Sequence, residues 1–393
     1  MPLRNEKPVY RGLIVTTCKI TQVVMDTDGK IIPKKDKTEL KFKDMISFDA
    51  NLKEDNITPK KDKTELKFNL NEVVEAVFLN EVVKHPDGVK NKFLAHYVTV
   101  EKAGRWTSIA NYAFEGAEEA TPLFCVHGFN DQPDEILEQM VERWKIFANK
   151  EDEFIPKQGF KYLPVPVIWP CSANYPEDLD NHSMGAGKHV AALVNRVSSE
   201  HIPRKSLLMH SMGNHVIFDG ACGMKDDEGM VKEENFRVHF ENIFMVSADI
   251  PRDVFWKKPW DYDNAWNVNT RFVILNKTRK KRIYGQKLQK ANNFFSMLQK
   301  GNDGKPKGKI YVVYNPWDRA LIASTGINAE KRLGTYCEDD EDKIRDEFKD
   351  YIKGYNIHPD LPRNITDKRY LHSYQFEVPA IKYYYENSLA SED

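Results

Sequence analysis

The sequence predicts an α/β fold, a mostly parallel, doubly wound sheet with a β-rich N-terminal extension and one long insertion. Three observations predict it. From about residue 121 onward, short apolar runs alternate with segments of helical period. Two of those runs stop abruptly in polar residues, at His127-Gly128 and at His210-Ser211, and the second passes straight into a helical pattern. The first 115 or so residues lack this rhythm and carry alternating, strand-like stretches instead.

In chain order, the extension (residues 1–115) offers strands at Val9–Thr17, Phe93–Val100 and Trp106–Tyr112. It also contains a decapeptide, Pro33 to Phe42, that recurs unchanged as Pro59 to Phe68. A single copy event is too little for a solenoid and reads as a local duplication, in exposed hairpins or loops given its lysines. The second region, residues 116–393, opens with strand Leu123–Val126 and a helix near Asp134–Asn149, with Ile136, Leu137, Met140, Val141, Trp144 and Phe147 at helical spacing. Strand Val165–Trp169, a helix near Gly187–Ser198 and strand Ser206–Met209 follow, then a helix over Met212–Cys222. Strand Asn242–Val246 runs into Ser247-Ala248-Asp249, and strand Lys309–Tyr314 into Asn315-Pro316-Trp317-Asp318. Between them, residues 256–308 read as a lid or a surface insertion. Glu338–Lys353 reads as an acidic, exposed helix, and Ala380–Ser388 as the last helix.

Charge excludes some functions. Lys and Arg total 58 against 59 Asp and Glu, which gives no electrostatic case for nucleic acid or a membrane surface as the main partner. No apolar run is long enough for a membrane-spanning helix, and no apolar core follows Met1 to Lys7 as a secretory signal requires. The five cysteines, Cys18, Cys125, Cys171, Cys222 and Cys337, are scattered and odd in number, as expected of reduced thiols in a cytoplasmic protein.

The strand–serine–helix junction at Ser211 carries the chemistry. A serine on a sharp strand-to-helix turn has its hydroxyl exposed and the helix N-terminus aimed at the reacting group. A hydroxyl is a poor nucleophile unless a base takes its proton and an acid orients the base. On sheets of this kind the three arrive in the order serine, acid, histidine. Here Ser211 is followed by Asp318 and then His372, each just beyond an apolar run. Asp318 also fits a helix N-cap. Asp249, which ends another strand, is the alternative acid, and His358 the nearest competing histidine. Backbone N–H groups of Met212 and of Phe129, after His127-Gly128, are the expected oxyanion donors. His210 and His215 flank the serine without metal-ligand spacing, and no phosphate-cradling glycine loop follows a strand.

These motifs resemble a family of α/β-hydrolase-fold proteins of unknown function. The resemblance spans about residues 121–375, in islands: Val126 to Asn130; Val167-Ile168-Trp169-Pro170; His210 to Asn214; Ala248-Asp249-Ile250 with Asp253-Val254-Phe255; Tyr314 to Leu321; and His372-Ser373-Tyr374. It implies the α/β-hydrolase fold and Ser211, Asp318 and His372 as a triad, and names no substrate. One departure is Met209, where a small residue usually sits two positions before the serine.

The resulting expectation is a cytoplasmic serine hydrolase that cleaves an ester-type bond of a small acyl substrate through an acyl-enzyme, carboxylesterase- or lipase-like. No metal or cofactor is called for. The competing expectation is a binding or scaffold protein that kept the fold without turnover. The sequence defines no oligomeric state.

Overall fold

The computed structural model describes residues 13–25, 63–84, 93–98, 120–131, 136, 161–172, 174–196, 204–222, 239–255, 290–328, 331–335, 344–361 and 371–388. The expected strand at Trp106–Tyr112, the first decapeptide copy, Cys337, and all of the helix near Asp134–Asn149 except Ile136 lie outside them. The chain divides into two compact units, Met1–Pro203 and Arg204–Asp393.

The first unit holds β1 (Leu13–Met25), β2 (Lys63–Lys84), β3 (Phe93–Val98), β4 (Ala120–Val126) and β5 (Lys161–Ile168). They are hydrogen-bonded in the order β3-β2-β1-β5-β4. β1 runs antiparallel to β2 and parallel to β5, and β4 runs parallel to β5. The end of the second decapeptide copy lies in β2, where Thr64 to Phe68 face Val24 to Ile20 of β1. After β5 comes a helical turn, Tyr175–Glu177, a π-helical stretch, Asp178–His182, and helix α1 (Ser183–Arg196). The helical path therefore begins well before the expected 187. Pro176 sits in its first turn, where a fixed φ and a missing N–H cost nothing.

The second unit holds β6 (Ser206–His210), β7 (Asn242–Val246), β8 (Lys309–Tyr314) and β9 (Ile352–Asn356), paired in that order and parallel throughout. Every residue of β6 and β7 is buried, which is why Leu207–Met209 and Ile243–Val246 read as apolar runs rather than alternating ones. Residues 213–221 form a short helix α2 (Gly213–His215) that widens into a π-helix, Val216–Ala221, in place of the uniform α-helix expected. Helices α3 (Arg319–Asn328), α4 (Asp346–Lys349) and α5 (Val378–Ser388) complete the unit. Phe244 of β7 stacks on Tyr311 of β8 at 5.2 Å and meets Tyr384 of α5 at 4.7 Å, so the sheet and α5 share one aromatic core.

Two expectations change here. Residues 338–353 were read as one exposed acidic helix, but 346–349 form a single turn and 352–356 the strand β9. Phe348 is buried and stacks on Phe295 at 3.9 Å. β9 ends the strand order, and such a position tolerates the Lys353, Gly354 and Asn356 that hid it. In the expected insertion, 256–289 lie outside the described residues, while 290–296 are helical. Ala291, Phe294 and Leu298 there are fully buried, and Phe294 packs on Phe218 at 5.6 Å, so this part belongs to the core. No helix among the described residues is long and apolar enough to cross a membrane.

Candidate active site

β6 delivers Ser211 into a left-handed turn with φ of 50°. A serine in that region costs of order 1–3 kcal/mol unless its surroundings hold it there. They do. The Ser211 N–H donates to Val246 O at 3.0 Å, and its carbonyl accepts from the N–H of Asp249 at 3.2 Å and of Asn214 at 3.1 Å. The Asn214 side-chain amide also donates to Ser211 O at 2.9 Å and to Met209 O at 3.1 Å, tying strand, turn and helix together. Met209 itself is fully buried, so the larger side chain is absorbed by the core. The N–H of Met212 bonds to no described residue.

Beyond β8, Asp318 does two jobs. One carboxylate oxygen accepts from the Leu321 N–H at 3.1 Å and caps α3. The other accepts from His372 Nδ1–H at 2.7 Å. Asp318 is completely buried, so this charge depends on such donors. With Nδ1 donating, the neutral imidazole accepts at Nε2, and the Ser211 hydroxyl donates to it at 2.9 Å.

The loop that carries His372 is pinned from several sides. Its carbonyl accepts from the Ser247 hydroxyl at 2.9 Å and from His210 Nε2–H at 3.1 Å. The Asn315 amide donates to Leu371 O at 2.9 Å, and the Tyr374 hydroxyl to Val313 O at 3.2 Å. The His372 side chain is 19% exposed against 0% for Asp318, so the imidazole reaches solvent while its carboxylate partner does not. These supports were not nominated from sequence. His210 stood in view beside the serine, but Ser247 and Asn315 signal nothing until the strand ends converge.

Asp249, the alternative acid, faces elsewhere. Its Oδ1 lies 3.0 Å from Arg332 Nε and accepts the Ser324 hydroxyl at 2.6 Å. His358, the competing histidine, lies in the exposed turn His358–Asp360. Gly334, two residues past Arg332, passes so close to this strand end that a Cβ there would lie 2.5 Å from Ala248 N and from the Ser247 carbonyl carbon.

Phe129 belongs to the first unit, in the turn after β4. The His127 ring there is occupied on both nitrogens, Nδ1–H donating to Gly128 O at 2.8 Å and Nε2 accepting from Trp169 N–H at 3.1 Å. It also stacks on the Trp169 indole at 5.1 Å. Burial lowers its pKa, against the opposing pull of Asp131 and the two backbone contacts. His127 is thus a structural residue of its loop. Asn130 takes a φ of 62° and donates its N–H to Cys171 Sγ at 3.0 Å, and the Phe129 ring meets Tyr175 edge-on at 5.4 Å. The Phe129 N–H, like that of Met212, bonds to no described residue. Cys18, Cys125, Cys171 and Cys222 are buried free thiols. Among the described residues, no group of three or more His, Cys, Asp or Glu is arranged to hold a metal ion.

Residues 113–388 match the family described as alpha/beta hydrolase of unknown function (DUF900). The match covers well over half of the chain, and the chain belongs to that family, with the α/β-hydrolase fold. No curated protein matches it.

Proposed function

We propose that this chain is a serine hydrolase that cleaves an ester-type acyl bond. The observation that carries the reading is the unbroken relay from Ser211 Oγ to His372 Nε2 at 2.9 Å and from His372 Nδ1 to Asp318 at 2.7 Å, beside a strained serine at a strand–helix junction. In the proposed first step His372 Nε2 takes the hydroxyl proton as Ser211 Oγ attacks the carbonyl carbon. Asp318 keeps the imidazole in the required tautomer and stabilises the imidazolium that forms. The Met212 N–H is the oxyanion donor nearest the nucleophile in sequence. A donor of this kind contributes roughly 3 kcal/mol in the transition state. His372 then returns the proton to the leaving alkoxide, and the acyl-enzyme is hydrolysed by a water that His372 activates in turn. The same triad serves thioesters and amides, so the acyl bond is the level at which the proposal is made.

The competing reading, a binding protein without turnover, drew its sequence support from Met209 and from the long N-terminal extension and the 256–308 segment. Full burial of the Met209 side chain and the hydrogen bond to its carbonyl account for the first of these as core packing. The test is labelling with a fluorophosphonate probe. Wild type takes up the probe, while Ser211→Ala and His372→Ala do not; a folded wild type that stays unlabelled sinks the proposal.

A further inference from the structure

The Arg332–Asp249–Ser324 cluster lies outside the triad and is unused by the steps above. All three side chains are buried, Arg332 and Asp249 at 2% exposure each. Arg332 Nε lies 3.0 Å from both Asp249 Oδ1 and Ser324 Oγ, and the Ser324 hydroxyl donates to the same carboxylate oxygen at 2.6 Å. A buried ion pair is costly to desolvate, and apolar side chains of similar volume commonly stabilise a core as well or better. Stability alone therefore gives weak reason for it here.

Its connections supply a stronger one. The Asp249 N–H donates to the Ser211 carbonyl at 3.2 Å, so whatever fixes Asp249 bears on the nucleophile's turn. Ser324 lies on α3, the helix that Asp318 caps. The backbone around Arg332 joins the same two places. Gly334 N–H donates to Ala248 O at 2.9 Å, past the end of β7, and Gly334 O accepts from Asn315 N–H at 3.1 Å, past the end of β8. Leu333 N–H donates to Ile250 O at 2.9 Å, and Arg252 N–H to Lys331 O at 2.8 Å. Residues 331–334 thus lie as a staple across the two strand ends, and the Arg332 side chain locks it from within.

We propose that Arg332, through Asp249 and Ser324, is a positioning residue that holds the Asp318 carboxylate and the Ser211 turn at the separation His372 must bridge. This rests on the hydrolytic reading of the triad. His372 meets Ser211 with one nitrogen and Asp318 with the other, so relative movement of the two strand ends breaks one bond or the other. Displacements of an ångström in such a relay cost on the order of 10²-fold in rate. Arginine suits the task because its guanidinium stays charged, and its Nε–H reaches Asp249 Oδ1 and Ser324 Oγ together.

The experiment measures the second-order rate constant of fluorophosphonate labelling across pH, well below the melting temperature. The proteins are wild type, Ser324→Ala, and the charge-balanced double variant Asp249→Asn with Arg332→Met. Ser324→Ala removes one hydroxyl and no charge, and it decides the matter if the double variant does not fold. The expected result is a fall on the order of tenfold for Ser324→Ala. The pH midpoint also moves downward, because a misaligned Asp318 supports the His372 imidazolium less. A rate that falls equally at every pH with an unmoved midpoint assigns the cluster to the fold alone and overturns the proposal. Variants that label like wild type overturn it too, and leave the hydrolytic reading standing. An unlabelled wild type overturns both.

Discussion

β7 and β8 are parallel neighbours, and shortly past its end each presents a buried aspartate, Asp249 after one and Asp318 after the other. By position, either could serve as the acid. The partners separate them. Asp318 faces an imidazole, the side chain type that ordinarily changes charge near neutral pH, whereas Asp249 faces a guanidinium that stays protonated. A buried carboxylate needs a donor, and the donor it finds fixes which chemistry it can join. In the proposed reaction one strand end moves a proton and the other holds the frame.

The contrast can be broken most directly at Asp318. Asp318→Asn keeps the capping oxygen but removes the charge and the tautomer control, so turnover is expected to fall by about 10⁴-fold with the fold intact, read by ester hydrolysis and circular dichroism. Arg332→Met should act on stability as well as on rate. It strands the Asp249 carboxylate in the core, and the free energy of unfolding in denaturant should fall by about 3–5 kcal/mol. A smaller effect is expected between the two strand ends. Ser247→Ala removes one of the two donors to the His372 carbonyl, at about 1 kcal/mol, seen as a several-fold lower kcat with little change in KM.

The smallest effect extends the comparison to two histidines. His372 faces a serine and a carboxylate, while His127 spends both nitrogens on backbone. Burial holds the His127 pKa below its ordinary value, so the unfolded chain gains the proton first as pH falls. Stability from this residue is complete above about pH 6.5 and declines as pH drops through that value, levelling off once the folded form also protonates. His127→Gln should flatten that part of the stability profile in denaturant titrations at pH 8 and pH 5.5.

How much of this could be read from the sequence follows from what is local. Ser211 was legible because a strand, a turn and a helix are contiguous, and Asp318 and His372 because chain order mirrors sheet order in parallel α/β folds. The three residues so nominated are those whose side chains meet. Arg332 was invisible: a guanidinium that finds a carboxylate on another strand end has no spacing to betray it. β9 was missed because an end strand with Lys353, Gly354 and Asn356 does not read as apolar. The π-helical stretches at 178–182 and 216–221 follow no residue pattern that propensity rules register. The departure at Met209 is taken up by the core, where its side chain is fully buried.

The most direct test of the central claim is peptide mapping of the fluorophosphonate adduct on wild type, Asp318→Asn and Asp249→Asn, each shown to be folded. The account predicts a single adduct on Ser211 in wild type, its near-complete loss in Asp318→Asn, and a slowed but retained adduct in Asp249→Asn. An adduct on any other residue, or Asp318→Asn labelling as fast as wild type, would contradict it.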